Sequence, residues 1–536
     1  MASLRSGTLA ITAAKLVFLA AGWVLYVSLG RLLSPEEFGV YGVLFAVVSL
    51  INMVLINGTL QTVSHFTARH ADAERAVRRR SFVYQACFAL PALAAFVVAA
   101  PLLASFLKDD AMTPLLRGAA VITLVYAFYA VNVGYLNGRR LFARQAALDT
   151  IFSIMKVGLI IVAVRLGYGI PGVIAGFATA AALVLVVSFF LVGRGEDRSK
   201  VELRSSAFAR YAVQVLAVAL FLNFVMNADI FLLKRLSDPA TANRLAGFYT
   251  AAQSIARLPY FVLITASLVM FPTLARLSGD GAEVRDARAS VSSRALVLVL
   301  GLLAVVCAAT VPITDRVIVF LYPPVYAEAA TALAWLLPAL AGMSLLNLSV
   351  SMVSGAGHPG VSSIVLSVAL GVQALACSVW IPRYGLVGAA AGTTLAVAVA
   401  LVAILAWQRR AFGTRLPLRV LAVVALAVAV GLAVSTGLDR VLPEGAIAGR
   451  IATLVILATS ALASAAVLVI GGVATGAGVG PNRRVLLVSK PLQPPFNDGA
   501  KTFVAAIARA LPAHRTAVIA VQPALARDGL PDGVVV

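Results

Sequence analysis

Five ionisable side chains lie inside long apolar stretches of this sequence: Lys15, Asp149, Lys156, Asp229 and Arg257. Amides accompany them at Asn52, Asn57, Asn132, Asn223, Asn227, Gln253 and Asn347. Gln253 and Arg257 are four apart, so on a helix they share a face. Pro259 follows and loosens that helix. The deepest of these sites carry more cations than acids, and a cationic cavity favours an anionic ligand. We therefore take Arg257, Lys15, Gln253, Asn223, Asn227 and Asn52 as candidate binding residues. Asp229, Asp149 and Lys156 are candidates for coupling to an ion. Each has a structural alternative: buried amides also glue helices together, Lys15 is within snorkelling reach of an interface, and Asp229 and Lys234 can pair at a helix end. The chemistry is that of binding. His65, His70, His358 and His514 form no catalytic constellation, and no phosphate-cradling glycine loop is present. Cys87, Cys307 and Cys377 lie in apolar runs without metal-ligand spacing and read as small core residues. Neither a cofactor nor a metal is expected, and any work must draw on an ion gradient, the membrane potential or the substrate's own gradient.

The elements that position these groups are set by length and hydropathy. Hydrophobic residues make up 61% of the 536 and charged residues only 12%, about half the share usual in soluble domains. Crossing hydrocarbon takes about 20 helical residues, and every backbone polar group there must be satisfied internally. Fourteen runs meet that length: 8–30, 38–60, 81–107, 118–137, 147–165, 170–193, 207–233, 245–272, 291–313, 328–353, 360–381, 385–408, 418–437 and 448–473. The chain is thus expected to be an all-α, polytopic membrane protein. The first run is long enough to remain as a helix rather than be cleaved. The net charge of +21 would suggest nucleic acid in a soluble protein, but here the basic residues sit in short loops. With the N-terminus inside, the inner loops carry 22 Lys and Arg against 11 outside. That asymmetry places both termini in the cytoplasm.

The chain also repeats itself. Tyr168-Gly-Ile-Pro-Gly-Val-Ile-Ala-Gly176 opens the sixth run and Tyr384-Gly-Leu-Val-Gly-Ala-Ala-Ala-Gly392 the twelfth, both reading YGxxGxxxG. Arg31-Leu-Leu-Ser-Pro35 with Gly39-Val-Tyr41 is echoed by Arg235-Leu-Ser-Asp-Pro239 with Gly247-Phe-Tyr249. Small-xxx-small patterns let membrane helices approach closely. The order and offset imply two parallel six-helix lobes, 1–205 and 206–410, with helices thirteen and fourteen added over 411–480. A substrate would bind between such repeats.

Together these segments resemble the oligosaccharide flippase, or polysaccharide export, branch of the superfamily that also contains multidrug and toxin extruders and lipid II flippases. The resemblance covers about residues 1–410. It is carried by Gly30-Arg-Leu-Leu-Ser-Pro-Glu-Glu-Phe-Gly-Val-Tyr41, Asn227-Ala-Asp-Ile-Phe-Leu-Leu233, Ala246-Gly-Phe-Tyr-Thr-Ala-Ala-Gln-Ser-Ile-Ala-Arg257, Phe271-Pro-Thr-Leu274, the Gly355-x-Gly357 turn and Tyr384–Ala390. It implies a V-shaped pair of bundles in the inner (plasma) membrane of the cell envelope. The cargo implied is a polyprenyl-diphosphate-linked sugar unit, moved to the outer leaflet for polysaccharide biosynthesis. The partners implied are that lipid-linked oligosaccharide, membrane lipids, and glycosyltransferases and a polymerase of the same pathway. Arg257 resembles the cavity arginine of helix eight in lipid II flippases, and Lys15 falls where those proteins carry a basic residue in helix one. No basic residue stands in the second run.

Beyond Gly480 the character changes. Arg483–Ser489 reads as a short buried strand, Ala500–Leu511 as an amphipathic helix and Thr516–Val521 as a second strand. This stretch, 481–536, resembles the start of a two-lobed glycosyltransferase without its nucleotide-sugar lobe, so the chain as given is not expected to act as an enzyme. Two other functions stay open: a drug or cation antiporter of the same superfamily, which would need essential carboxylates, and a membrane-anchored glycosyltransferase continued beyond Val536.

Overall fold

The computed structural model describes residues 2–70, 73–193, 205–260, 263, 274, 282–414, 416–443, 448–474, 485–489 and 516–520. Each of the fourteen predicted runs coincides with helix, the eighth over its described part. Helix α1 spans Ala2–Leu32. The second run is divided into α2 (Pro35–Asn52), a π-helical turn (Met53–Asn57) and α3 (Gly58–Arg69). Then come α4 (Glu74–Phe106), α5 (Met112–Gly138), α6 (Phe142–Arg165) and α7 (Gly169–Val192). The second half opens with α8 (Ser205–Leu236), α9 (Pro239–Ala256) and α10 (Ala282–Thr310). A short α11 (Thr314–Leu321) leads to α12 (Ala329–Gly355) and α13 (Pro359–Phe412). Helices α14 (Leu418–Val441) and α15 (Ala448–Ala474) follow. Among the described residues nine helices are long and apolar enough to cross a membrane. One of them, α13, holds runs eleven and twelve with a break at Gly385, where φ is +52°.

The starts of α2 and α9 show why the echoed segments look alike. Ser34 accepts from the Glu37 amide while Glu37 accepts from the Ser34 amide, with Pro35 at the first helical position. Asp238 accepts from the Ala240 amide, again with a proline next. Both are N-caps that satisfy orphan helix amides, and proline loses nothing there because its position needs no donor.

The π turn was not legible as a run of hydropathy. It lengthens one turn, and the Leu55 carbonyl accepts from Thr59 Oγ1 (2.9 Å) and from Gln85 Nε2 (3.0 Å) of α4. In hydrocarbon such carbonyls need a partner from within the protein. Below the turn, α3 sits tightly on α5: a Cβ on Gly138 would lie 2.7 Å from the Ser64 carbonyl, and one on Gly134 2.9 Å from the Leu60 carbonyl.

The two YGxxGxxxG segments do the same backbone work. Gly169 and Gly385 both take positive φ (+48° and +52°) between antiparallel helices, a conformation that strains other L-residues. Further on, Gly176 abuts the Ile160 backbone of the preceding helix, and Gly392 abuts Cys377.

The main core runs through α2, α5, α9 and α12 and holds Phe38, Leu44, Leu116, Phe248, Leu336 and Leu340. Helices α14 and α15 pack on each other and on α10. Arg316 of α11 fastens the end of α14 through Asp439 and through the carbonyls of Asp439, Leu442 and Pro443. In the tail, strands β1 (Val485–Ser489) and β2 (Thr516–Ala520) pair in parallel, Val485 opposite Thr516. These are the two strands expected there, and the helix expected between them lies outside the described residues.

Candidate functional site

A cavity of about 510 Å³ lies where α1, α2 and α6 of the first half face α8 and α9 of the second. Its volume falls within the roughly 300–1,000 Å³ of ordinary ligand sites. Arg257, Gln253, Asn227, Thr250 and Ser254 line one side, and Phe18, Trp23, Tyr26, Phe45 and Lys156 the other.

Arg257 is placed by a broken helix. A continuous eighth span would put it a little short of halfway. Instead α9 ends at Ala256 and Arg257 is its C-cap, its amide bonded back to the Gln253 carbonyl. Pro259 explains the break, since it lacks an amide donor and disfavours helical backbone just before it. The freed guanidinium donates through Nη2 to the Met226 carbonyl (2.9 Å) and to Asn227 Oδ1 (3.0 Å), while its Nε is buried without a partner. An unpaired buried donor is costly; the Arg257 side chain that carries it borders the cavity. Asn227 is itself held by the Asn223 side chain and carbonyl, both at 2.9 Å. Asn223 therefore acts at one remove.

Asp229 stands behind this wall and is 1% exposed. Its carboxylate accepts from Tyr249 Oη (2.7 Å), Thr393 Oγ1 (3.2 Å), Gln253 Nε2 (3.2 Å) and the Ile230 amide (2.8 Å). Gln373 donates to Thr393 at 3.0 Å. Gln253 touches both this cluster and the cavity, and its Nε2 also donates to the Met226 carbonyl (3.4 Å) that Arg257 uses.

The remaining candidates separate. Lys156 lines the cavity rather than standing with the acids. Asp149 accepts from Tyr129 Oη at 3.3 Å, and Asn52, with Oδ1 buried, precedes the π turn; neither is among the cavity-lining residues. The side chain of Lys15 lies outside the described residues. Asn132 is structural, donating to Ser188 at 2.7 Å between α5 and α7.

One end of the cavity is capped by an aromatic layer of Tyr26, Phe38, Tyr41, Tyr322, Tyr326 and Phe248, with Ser254 and Tyr322 hydroxyls 2.7 Å apart. Beyond it α2 and α9 meet backbone to backbone: a Cβ on Gly39 would lie 1.8 Å from the Asn243 carbonyl, and one on Gly247 1.9 Å from the Pro35 carbonyl. Lys234, 1% exposed, joins the seam by pairing with Asp109 at 2.5 Å and bonding Asn243. Sequence reasoning missed this triad, the aromatic wall and the Asp229 partners Thr393 and Gln373. The wall did leave a signal, because Phe18, Gly22 and Tyr26 recur every four residues on α1. Asp109 and Thr393 left none, being far from Lys234 and Asp229 in sequence.

Comparison with known proteins agrees with this architecture. The model of the family described as "Polysaccharide biosynthesis protein" matches residues 28–325. The succinoglycan biosynthesis transport protein ExoT of Rhizobium meliloti (strain 1021) is 29% identical over 259 residues, 47% of this chain and 50% of that protein. The chain thus spans about half the length of this curated relative. Among solved structures, the lipid II flippase MurJ in an inward closed conformation superposes with a TM-score of 0.68 at 14% identity, covering 88% of this chain and 99% of MurJ. An inward-facing multidrug resistance transporter of the MATE family gives 0.59 at 17% identity, covering 74% and 98%. The multi-pass helical fold is that of these membrane transporters.

Proposed function

Since the chain belongs to the polysaccharide biosynthesis protein family, we propose that it flips polyprenyl-diphosphate-linked oligosaccharide units from the cytoplasmic to the outer leaflet. The observation that carries this reading is Arg257, held at a helix break on the wall of a cavity between the two halves of the membrane domain. Taking a diphosphate into hydrocarbon without compensation costs many kcal/mol. A guanidinium with an unspent donor, flanked by amides and hydroxyls, offsets that cost where water is scarce. The lipid tail stays outside among the helices.

In this reading the lobes 1–205 and 206–410 rock against each other around the cavity. In the same reading, which the loop asymmetry supports, both termini lie in the cytoplasm and the Arg31 end outside, and the α2–α9 seam is the outer gate. The protein then works in the inner membrane beside the glycosyltransferases and polymerase of its pathway. Transport of a drug or cation instead would centre on Asp229, the carboxylate buried one layer behind the cavity.

The test is flipping of a fluorescent polyprenyl-diphosphate sugar in proteoliposomes. Arg257→Ala should insert and fold yet lose flipping by about ten- to a hundredfold, the loss of a hydrogen bond to a charged group. Unchanged flipping would remove Arg257 from the site.

A further inference from the structure

The wall of the cavity opposite Arg257 carries a cation of its own. Lys156 projects from the middle of α6, and its Nζ lies 5.2 Å from the Phe18 ring centre, 5.5 Å from that of Phe152 and 5.3 Å from that of Phe177. Among the described residues no carboxylate pairs with it. Three ring faces hold an ammonium by their quadrupoles, but they accept no hydrogen bond as a carboxylate would, so the charge is kept in place and not neutralised. The same side chain borders the cavity shared with Arg257, Asn227 and Gln253. A lysine whose purpose was helix packing would gain more from a carboxylate partner or from snorkelling to an interface. Lys156 has neither, and both Phe18 and Lys156 open onto the cavity.

We infer that Lys156 is a second oxyanion subsite, on the first-half wall, which takes an anionic group of the same ligand whose other charge is held by Arg257. The proposal deepens the transport reading and rests on it. The two cations come from opposite halves, Lys156 from α6 and Arg257 from the end of α9. A ligand with two separated negative charges therefore ties the halves together, and one with a single charge does not. The second oxyanion has two possible sources, the further phosphate of a diphosphate linkage or a carboxylate carried by the sugar. Trp23, Tyr26 and Phe45, which line the same cavity, offer flat faces for the apolar side of a sugar ring.

The experiment measures binding of four lipids to the full chain in nanodiscs: a polyprenyl monophosphate sugar and a polyprenyl diphosphate sugar, each with a neutral sugar or with a uronic acid. Lys156→Gln should weaken binding of the ligands bearing the second anion by about tenfold or more, the loss of one charge-assisted hydrogen bond. Binding of the neutral-sugar monophosphate should stay within about twofold. Lys156→Arg should recover most of the loss. If the loss follows the diphosphate in both sugar forms, the second phosphate is the ligand of Lys156; if it follows the uronate, the sugar carboxylate is. An equal fall for all four lipids, or none for any, overturns the subsite, because a lysine that only supports the rings cannot tell one anion from two. Failure of the wild-type chain to bind any of the four lipids overturns the transport reading itself.

Discussion

Echoed segments in the first and second halves of the chain put matched residues to different uses. Tyr41 and Tyr249 occupy echoed positions. In the first half, Tyr41 packs among rings, 5.5 Å from Tyr26, 5.9 Å from Phe38 and 4.6 Å from Phe45. In the second, the Tyr249 hydroxyl donates to the Asp229 carboxylate at 2.7 Å. The paired glycines at 169 and 385, by contrast, keep nearly the same positive φ. The echoed glycines that turn helix onto helix keep one conformation, while the echoed tyrosines, both buried outside the cavity lining, serve different neighbours. Around the cavity one wall is aromatic and carries Lys156; the other carries amides, hydroxyls and Arg257, with Asp229 one layer behind. One side of the cavity therefore offers flat apolar surfaces and the other hydrogen-bonding groups.

That contrast can be broken at several strengths. The largest effect is expected where the halves touch. Gly247→Val places a side chain on the Pro35 carbonyl, and neither partner is a side chain that can turn away. The penalty should exceed the usual overpacking range of about 1–3 kcal/mol. Distances between spin labels on α2 and α9 should lengthen, and transport should stop; an unchanged distance would mean the seam yields without opening. Lys234→Met leaves Asp109 without its buried partner and should weaken the closed seam by about 3 kcal/mol, read as a shift of the same distance distribution. Asp229→Asn removes the charge that organises the second wall. Flipping should fall about tenfold while the seam distances hold; full activity would reduce that acid to a packing role. The smallest effect belongs to the repeated glycines. Gly169→Ala and Gly385→Ala should each lower stability by about 1 kcal/mol, measured by thermal unfolding in detergent. Gly169→Ala should be the worse, since its Cβ also meets the Glu37 carboxylate at 3.0 Å, while Gly385 has open space.

Much of the fold was written in local pattern. Runs of apolar length predict the fourteen helical spans, and Ser34-Pro35 and Asp238-Pro239 mark helix starts by capping chemistry that needs only adjacent residues. The repeated glycines announce their turns for the same reason. Arg257 and Gln253 were legible because four-residue spacing fixes a shared face. Lys156 was legible as a buried charge, but its place on the cavity wall was not, since that depends on Phe18, Phe152 and Phe177 from three different helices. The break in helix two escaped because a π turn changes hydrogen bonding without changing hydropathy. The partners of Asp229 escaped because Thr393 lies 164 residues away, and no local period links the two.

The π turn at Met53–Asn57 divides the second membrane helix into members with different allegiances. The upper member is clamped to α9, and the lower is seated on α5 through Gly134 and Gly138. A straight rod fixed at both places would oppose any separation of the halves. With a joint at its midpoint, held by Thr59 and Gln85 rather than by the regular ladder, the upper arm would be free to part from α9 while the foot stays planted on α5.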